Sequence, residues 1–165
     1  MRVDLFDFDL PAANIALRPA RPRDAARMLV VGAVDDLEDR GVRDLPALLR
    51  AGDMLVFNDT RVIPAQLEGW RGEARIGATL HKRVDLRRWQ AFVRNGKRLR
   101  EGDVIAFPAD VVATAQARHA DGSWTLAFGG TEPVEVLLER AGQMPLPPYI
   151  AGKRPTDAAD RADYQ

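Results

Sequence analysis

Turn signals recur so closely between residues 67 and 132 that no long helix fits there, and this constrains the fold more than any other feature of the chain. Gly69, Gly72 and Gly77 punctuate short runs, and residues 75–80 and 89–93 have the composition of strands. Residues 97–102 read as a polar turn leading into a short strand at 103–107. Residues 111–117 alternate loosely, Asp121-Gly122 is a hairpin signal, and residues 124–128 supply the answering strand. Short strands joined by tight turns predict a small antiparallel β-barrel or sandwich. Helical spacing is restored at residues 133–141, where Val134, Leu137, Leu138 and Ala141 share one face and Gly142 is the expected C-cap.

Composition narrows the class. The 165 residues are 46% hydrophobic and 29% charged, the balance of a folded chain. Cysteine is absent, which excludes a disulfide framework and a thiolate metal site. No apolar run approaches membrane-spanning length and the first ten residues lack a signal-peptide core, so the expected location is the cytoplasm, with no membrane partner. Formal net charge is zero, but residues 71–100 hold ten Lys or Arg against Glu73 and Asp85, a local charge of +8. Such polarity can steer a polyanion to one face, or can be a set of solvated arginines on strand faces.

Residues 52–67, G-D-M-L-V-F-N-D-T-R-V-I-P-A-Q-L, begin with a Gly-Asp turn and four apolar residues, Met54 to Phe57, that predict a short buried strand. Asn58, Asp59, Thr60 and Arg61 then place an amide, a carboxylate, a hydroxyl and a guanidinium at its tip. In sheets fed by crossovers, ligands bind at that end. The plainer alternative is an Asn-Asp turn with a solvated arginine. Elsewhere, residues 3–10 alternate as a strand would, or as an extended segment packing its aromatic faces inward, Asp24 is placed to cap a short turn, and Met28 to Val31 predict a second buried strand. Residues 35–39 read as an acidic surface loop, and residues 44–49 as a helix with Asp44 near its N-cap and Pro46 in its first turn. Residues 143–150, Q-M-P-L-P-P-Y-I, are expected to run extended because of their three prolines. A helix is expected to begin near residue 160.

Four stretches in register carry a resemblance. They are V-D-L-F-D-F-D-L-P with I-A-L-R-P-A-R-P-R-D-A-A-R-M-L-V (residues 3–30), V-F-N-D-T-R-V-I-P-A (56–65), G-Q-M-P-L-P-P-Y-I (142–150) and D-R-A-D-Y-Q (160–165). Together they resemble the S-adenosylmethionine:tRNA ribosyltransferase-isomerase family of queuosine biosynthesis, over essentially the whole chain. The resemblance implies an α/β plus all-β fold: a discontinuous, barrel-like α/β domain, truncated here, with an inserted small antiparallel β-barrel domain. The expected division is 1–66, 67–132 and 133–165. Family members continue beyond D-R-x-x-Y-Q, so the chain is expected to be an N-terminal fragment, inactive on its own.

The implied reaction moves the ribosyl portion of S-adenosylmethionine onto 7-aminomethyl-7-deazaguanine in tRNA, giving epoxyqueuosine with release of adenine and methionine. S-adenosylmethionine is a substrate; no cofactor and no metal are expected. Asp59 and Arg61 are the candidate catalytic residues. Asp59 is suited to the sulfonium or the methionine ammonium, and Arg61 to the methionine carboxylate through its planar fork. Asn58, Thr60, Met144, Pro145, Pro147 and Tyr149 are the candidate substrate-binding residues. Lys82, Arg83, Arg87, Arg88, Arg94, Lys97 and Arg98 are the candidate tRNA contacts. His81 and His119 fall in the β region and are expected at its surface. A reading from a different class is a non-catalytic RNA-binding β-barrel module.

Overall fold

A computed structural model describes residues 2–33 and 36–165. The chain divides into two units, Met1–Asp59 and Thr60–Gln165.

The second unit is built on six strands, β3 (Gln66–Arg71), β4 (Ala74–Arg83), β5 (Arg88–Arg94), β6 (Val104–Ala106), β7 (Val112–Arg118) and β8 (Trp124–Phe128). They form a closed barrel in the order β3-β4-β5-β8-β7-β6, every pair antiparallel. The sandwich alternative is therefore set aside in favour of the barrel. Period-two alternation sends Leu67, Ile76, Ala78, Leu80, Trp89, Ala91 and Leu126 inward. Large and small side chains face each other across the ladders: Leu67 opposite Ala78, Leu80 opposite Ala91, Ala91 opposite Trp124, Ala113 opposite Phe128. That alternation fills a narrow barrel without voids. Register shifts at Leu80/Lys82 and Ala115/Ala117 bend β4 and β7 around it. Closure is made between β3 and β6 at Trp70 and Ala106, where a Cβ on Gly69 would sit 2.3 Å from the Ala106 carbonyl oxygen.

Helix α2 (Val134–Ala141) buries Val134, Leu137, Leu138 and Ala141 against this interior, as its spacing predicts. Its first amide donates to the Leu86 carbonyl at 3.0 Å, tying it to the β4–β5 connection. Gly142 follows the helix, its N–H donating to the Leu138 carbonyl at 2.8 Å. Its φ is −83°, so no left-handed cap forms. Glycine is needed for closeness instead: an added Cβ would lie 2.0 Å from the Pro64 carbonyl oxygen and 2.6 Å from that of Leu138. One residue on, Gln143 exchanges two backbone hydrogen bonds with Gln66, at 3.1 and 2.7 Å, and stitches the returning chain to the start of β3. The proline-rich stretch runs extended to Pro147. It then enters a single helical turn, α3 (Pro148–Ala151), where the sequence predicts continued extension. Pro148 suits the first helical position, because its missing N–H would be unpaired there in any case. A last turn, α4 (Asp160–Asp163), lies where a helix is expected.

The first unit departs further from expectation. Residues 3–6 form a 3-10 turn and residues 54–57 form no regular secondary structure; both are exposed, with Met54 at 87% and Val56 at 86%. Apolar alternation marks a segment that could be covered by a sheet neighbour, but pairing needs that neighbour, and none is supplied among the described residues. Strand β1 (Arg27–Val31) does form, yet Leu29 and Val31 are exposed, because its sheet has two strands and open faces. Its partner β2 (Leu37–Gly41) takes up the acidic segment expected as a loop. An exposed ion pair, Arg27 to Asp39 at 2.8 Å, spans the ladder. Residue 35 of that expected loop lies outside the described residues. Asp24 sits inside a 3-10 turn rather than capping one. Asp44 accepts the Gly41 amide at 2.9 Å just before the short helix α1 (Leu45–Leu48), with Pro46 in its first turn.

Substituting Gly142 by Ala should lower stability by about 3 kcal/mol, because the new methyl must displace backbone rather than a flexible side chain. Urea unfolding of the purified chain measures it.

Candidate functional site

The unit boundary falls at Asp59–Thr60, inside the Asn58 to Arg61 group. All four side chains are exposed, and Asn58 and Thr60 have interaction partners. The expected buried strand leading to them is an exposed segment without regular secondary structure, so a strand tip is not what positions them.

The proline segment splits by face. Met144 is 2% exposed and belongs to the interior, whereas Tyr149 is 59% exposed. Pro145 and Pro147 are half-buried. Between this segment and the outer surface of β3, β4 and β5 lies a recess of about 430 Å³, lined by Gln66, Gly77, Thr79, Arg94, Leu146, Pro148 and the turn after it. Leu146 and Pro148 thus form the wall, in place of the flanking residues that the sequence singles out. Beside the recess, half-buried Glu68 holds two of its lining residues: it accepts from Arg94 and, at 3.1 Å, from the Gln66 side-chain amide, and it also pairs with Arg75 at 3.3 Å. Sequence reasoning missed Glu68 as the partner that orients Gln66 and Arg94; its place on the outward phase of β3 was the available signal.

The seven candidate cations separate to opposite ends of β5. Lys82, Arg83, Arg87 and Arg88 surround the β4–β5 connection, while Arg94, Lys97 and Arg98 lie about 20 Å further along the strand direction. Two of the four in the first group, Arg83 and Arg88, are ion-paired. Arg83 pairs with Glu135 at 3.2 Å, Arg88 with Asp85 at 2.6 Å, and Arg87 donates to the Phe128 carbonyl at 3.2 Å. The Arg87 amide, then the Arg88 guanidinium, hold the Asp85 carboxyl below the ordinary carboxylate range. At the other end, Lys97 and Arg98 make no ion pair among the described residues and are joined by Arg71, Arg100 and Arg118, which the sequence reading left out of the set.

His119 Nε2 lies 2.8 Å from Thr125 Oγ1, and the His81 ring stacks on Phe92 with centroids 4.4 Å apart. Both histidines therefore have local packing partners. Among the described residues no group of three or more His, Cys, Asp or Glu could hold a metal, and no helix is long and apolar enough to cross a membrane.

The D-R-A-D-Y-Q stretch is structural in this unit. Asp160 is fully buried and takes a two-pronged pair from Arg154, at 2.9 and 2.6 Å, with the Asp157 amide at 2.8 Å. Arg161 reaches Glu139 on α2 at 2.6 Å, and the Gln165 amide donates to the Val62 carbonyl at 2.9 Å.

A closed six-stranded barrel with a proline-lined recess and a cationic end defines a candidate binding module. Residues 3–165 match the family model described as queuosine biosynthesis protein, and the chain belongs to that family. It is 78% identical to the S-adenosylmethionine:tRNA ribosyltransferase-isomerase of Novosphingobium aromaticivorans, over all of this chain and 48% of that protein. It is 74% identical to the protein of the same name from Sphingopyxis alaskensis, over all of this chain and 47% of the relative. The chain thus spans about half the length of the curated relatives it matches. A crystal structure of S-adenosylmethionine tRNA ribosyltransferase from Thermotoga maritima matches at 35% identity over 74% of this chain and 44% of that one, with a TM-score of 0.39.

Replacing Asp160 by Ala removes the carboxylate that holds the Arg154 guanidinium, whose side chain is only 14% exposed. A loss of about 3 kcal/mol is expected, as for other buried pairs broken from one side. Replacing both residues with apolar ones should recover part of it, and paired urea denaturation curves compare the variants.

Proposed function

We propose that this chain contributes to an S-adenosylmethionine:tRNA ribosyltransferase-isomerase activity, the name its relatives carry, and that the reaction is transfer and isomerisation of the ribosyl group of S-adenosylmethionine onto 7-aminomethyl-7-deazaguanine in tRNA, yielding epoxyqueuosine, adenine and methionine, in the cytoplasm. The observation that carries the reading is the family match, which runs unbroken from residue 3 to residue 165 and includes all four motif stretches. The accompanying fold reading is a discontinuous α/β domain interrupted by the β-barrel, divided at 1–66, 67–132 and 133–165.

The chemistry requires a base near the ribose carbon next to the sulfonium, because the positive sulfur acidifies that methylene. It also requires assistance to departing adenine and a neutral aminomethyl nucleophile. Two large substrates must be held in one orientation. Asp59 offers a carboxylate to the sulfonium or the methionine ammonium, and Arg61 offers a fork to the methionine carboxylate. Asn58 and Thr60 supply neutral hydrogen-bonding groups beside them. Met144, Pro145, Pro147 and Tyr149 serve substrate binding on a stiff segment, with Met144 shaping it from behind. No cofactor or metal enters the scheme.

The test is adenine release from S-adenosylmethionine in the presence of tRNA carrying the modified base, using the chain extended to the length of its relatives. Turnover is expected from the extended chain and none from the 165-residue span. Asp59→Ala in the extended chain should cut turnover by about 100-fold with the melting curve unchanged; full turnover in that variant sinks the assignment. A second reading, an RNA-binding barrel without catalysis, draws on the closed barrel and its cationic end. Binding of tRNA by the extended chain with no adenine release would favour it.

A further inference from the structure

We propose that the barrel mouth framed by residues 94–103 is a binding site for the sugar-phosphate backbone of a structured RNA, with Lys97, Arg98 and Arg118 as its principal phosphate contacts. This rests on the reading of tRNA as a substrate and gives that substrate a place on the protein.

The sequence builds the mouth as a rigid platform. After β5 the chain makes a 3-10 turn, Gly96–Arg98, entered through Asn95 in the left-handed region at φ 60°. Buried Leu99 pins the centre of the loop. Asp103 closes it by accepting the Arg100 amide at 2.7 Å, while Gly102 and Asp103 exchange backbone hydrogen bonds with Ala115 on β7 at 2.8 and 2.9 Å. Arg71, at the end of β3, crosses to this loop and donates to the Arg98 carbonyl at 3.3 Å and to Asp103 at 3.0 Å. The cations are therefore held on fixed backbone, which lowers the ordering cost of binding.

Two adjoining recesses open here, of about 560 and 320 Å³, and Arg71, Lys97 and Arg98 line both. Arg118, at the end of β7, lines the larger and Arg100 the smaller. Two carboxylates at this end are engaged. Asp103 is held below the ordinary carboxylate range first by the Arg100 amide and then by the Arg71 guanidinium, and Asp121 first by Ser123. Glu73 and Glu101 lie on the flanking turns. Lys97, Arg98 and Arg118 have no ion pair among the described residues, whereas at the other end of β5 Arg83 and Arg88 are paired, Arg87 is bonded to a carbonyl and only Lys82 has neither. A recessed, cation-lined surface suits a projecting phosphate ridge. A lipid surface fits it poorly: the lining apolar side chains are half-buried Val93 and buried Trp124, with no exposed large residue among them to insert.

The experiment measures binding of a tRNA transcript to the 165-residue chain as a function of KCl concentration. The triple substitution Lys97→Ala, Arg98→Ala, Arg118→Ala should weaken binding at least about tenfold near 0.1 M salt and reduce the salt slope by about 2, since each phosphate contact carries roughly 0.7–0.9 of slope. The charge-keeping triple Lys97→Arg, Arg98→Lys, Arg118→Lys should stay near wild type. Asp103→Asn keeps an acceptor for the Arg100 amide while removing a negative charge, so it should tighten binding about threefold; a gain of affinity cannot come from misfolding. The triple Arg83→Ala, Arg87→Ala, Arg88→Ala should change affinity less than about twofold, because two of those charges are already paired and Arg87 is bonded to a carbonyl. Wild-type binding with an unchanged slope in the first triple overturns the site while leaving the tRNA reading intact. Absence of any tRNA binding by this chain overturns the site, while the adenine-release assay on the extended chain decides the tRNA reading separately. Binding to phosphatidylserine vesicles without binding to tRNA overturns the choice of RNA.

Discussion

Closure of the barrel between β3 and β6 is the constraint on which the rest of the second unit depends. A sheet left open there would expose a row of unpaired amides and carbonyls along both edge strands. Closure requires the two backbones to approach at Gly69, where any side chain would strike the Ala106 carbonyl. It also requires an interior that tapers, which the facing of alanines with leucine, tryptophan and phenylalanine provides. Once the ring is shut, both of its ends become fixed frames for loops, and its outer surface becomes a wall for the returning chain.

The returning chain uses that wall at two points. The Gln66–Gln143 bridge continues the ladder by one pair, and α2 covers the barrel with its apolar face. The Pro64 carbonyl and the end of α2 come so close that residue 142 must be glycine, which couples the entrance of the unit to its exit. Arg154, Asp160, Arg161 and Gln165 then fasten the last turn by charge-assisted and neutral hydrogen bonds. A stretch that carries family resemblance can thus be structural in its local role.

Charge follows the same logic of paired ends. The sequence shows a +8 segment but not which charges remain free, because neutralisation depends on partners far along the chain. Glu135 on α2 reaches Arg83, and Glu68 on β3 takes Arg94 and Arg75. Arg118 joins the cationic mouth from 20 residues beyond Arg98, through strand order alone. Linear spacing could not have grouped them.

The amino-acid sequence by itself determined the β character of residues 67–132, the hairpin at Asp121-Gly122, the apolar face of α2 and the family. These rest on local periodicity, turn chemistry and motif order, all of which act over a few residues. It gave the strand at residues 28–31 but not its exposure, and it misjudged residues 3–10 and 54–57, because an apolar pattern signals the capacity to be buried but not the presence of anything to bury it. Tertiary structure alone decided that the strands close, that Leu146 and Pro148 line the recess, and which arginines stay unpaired. Each of those outcomes is a matter of distance between residues remote in the chain, and long-range proximity is set by the packed whole.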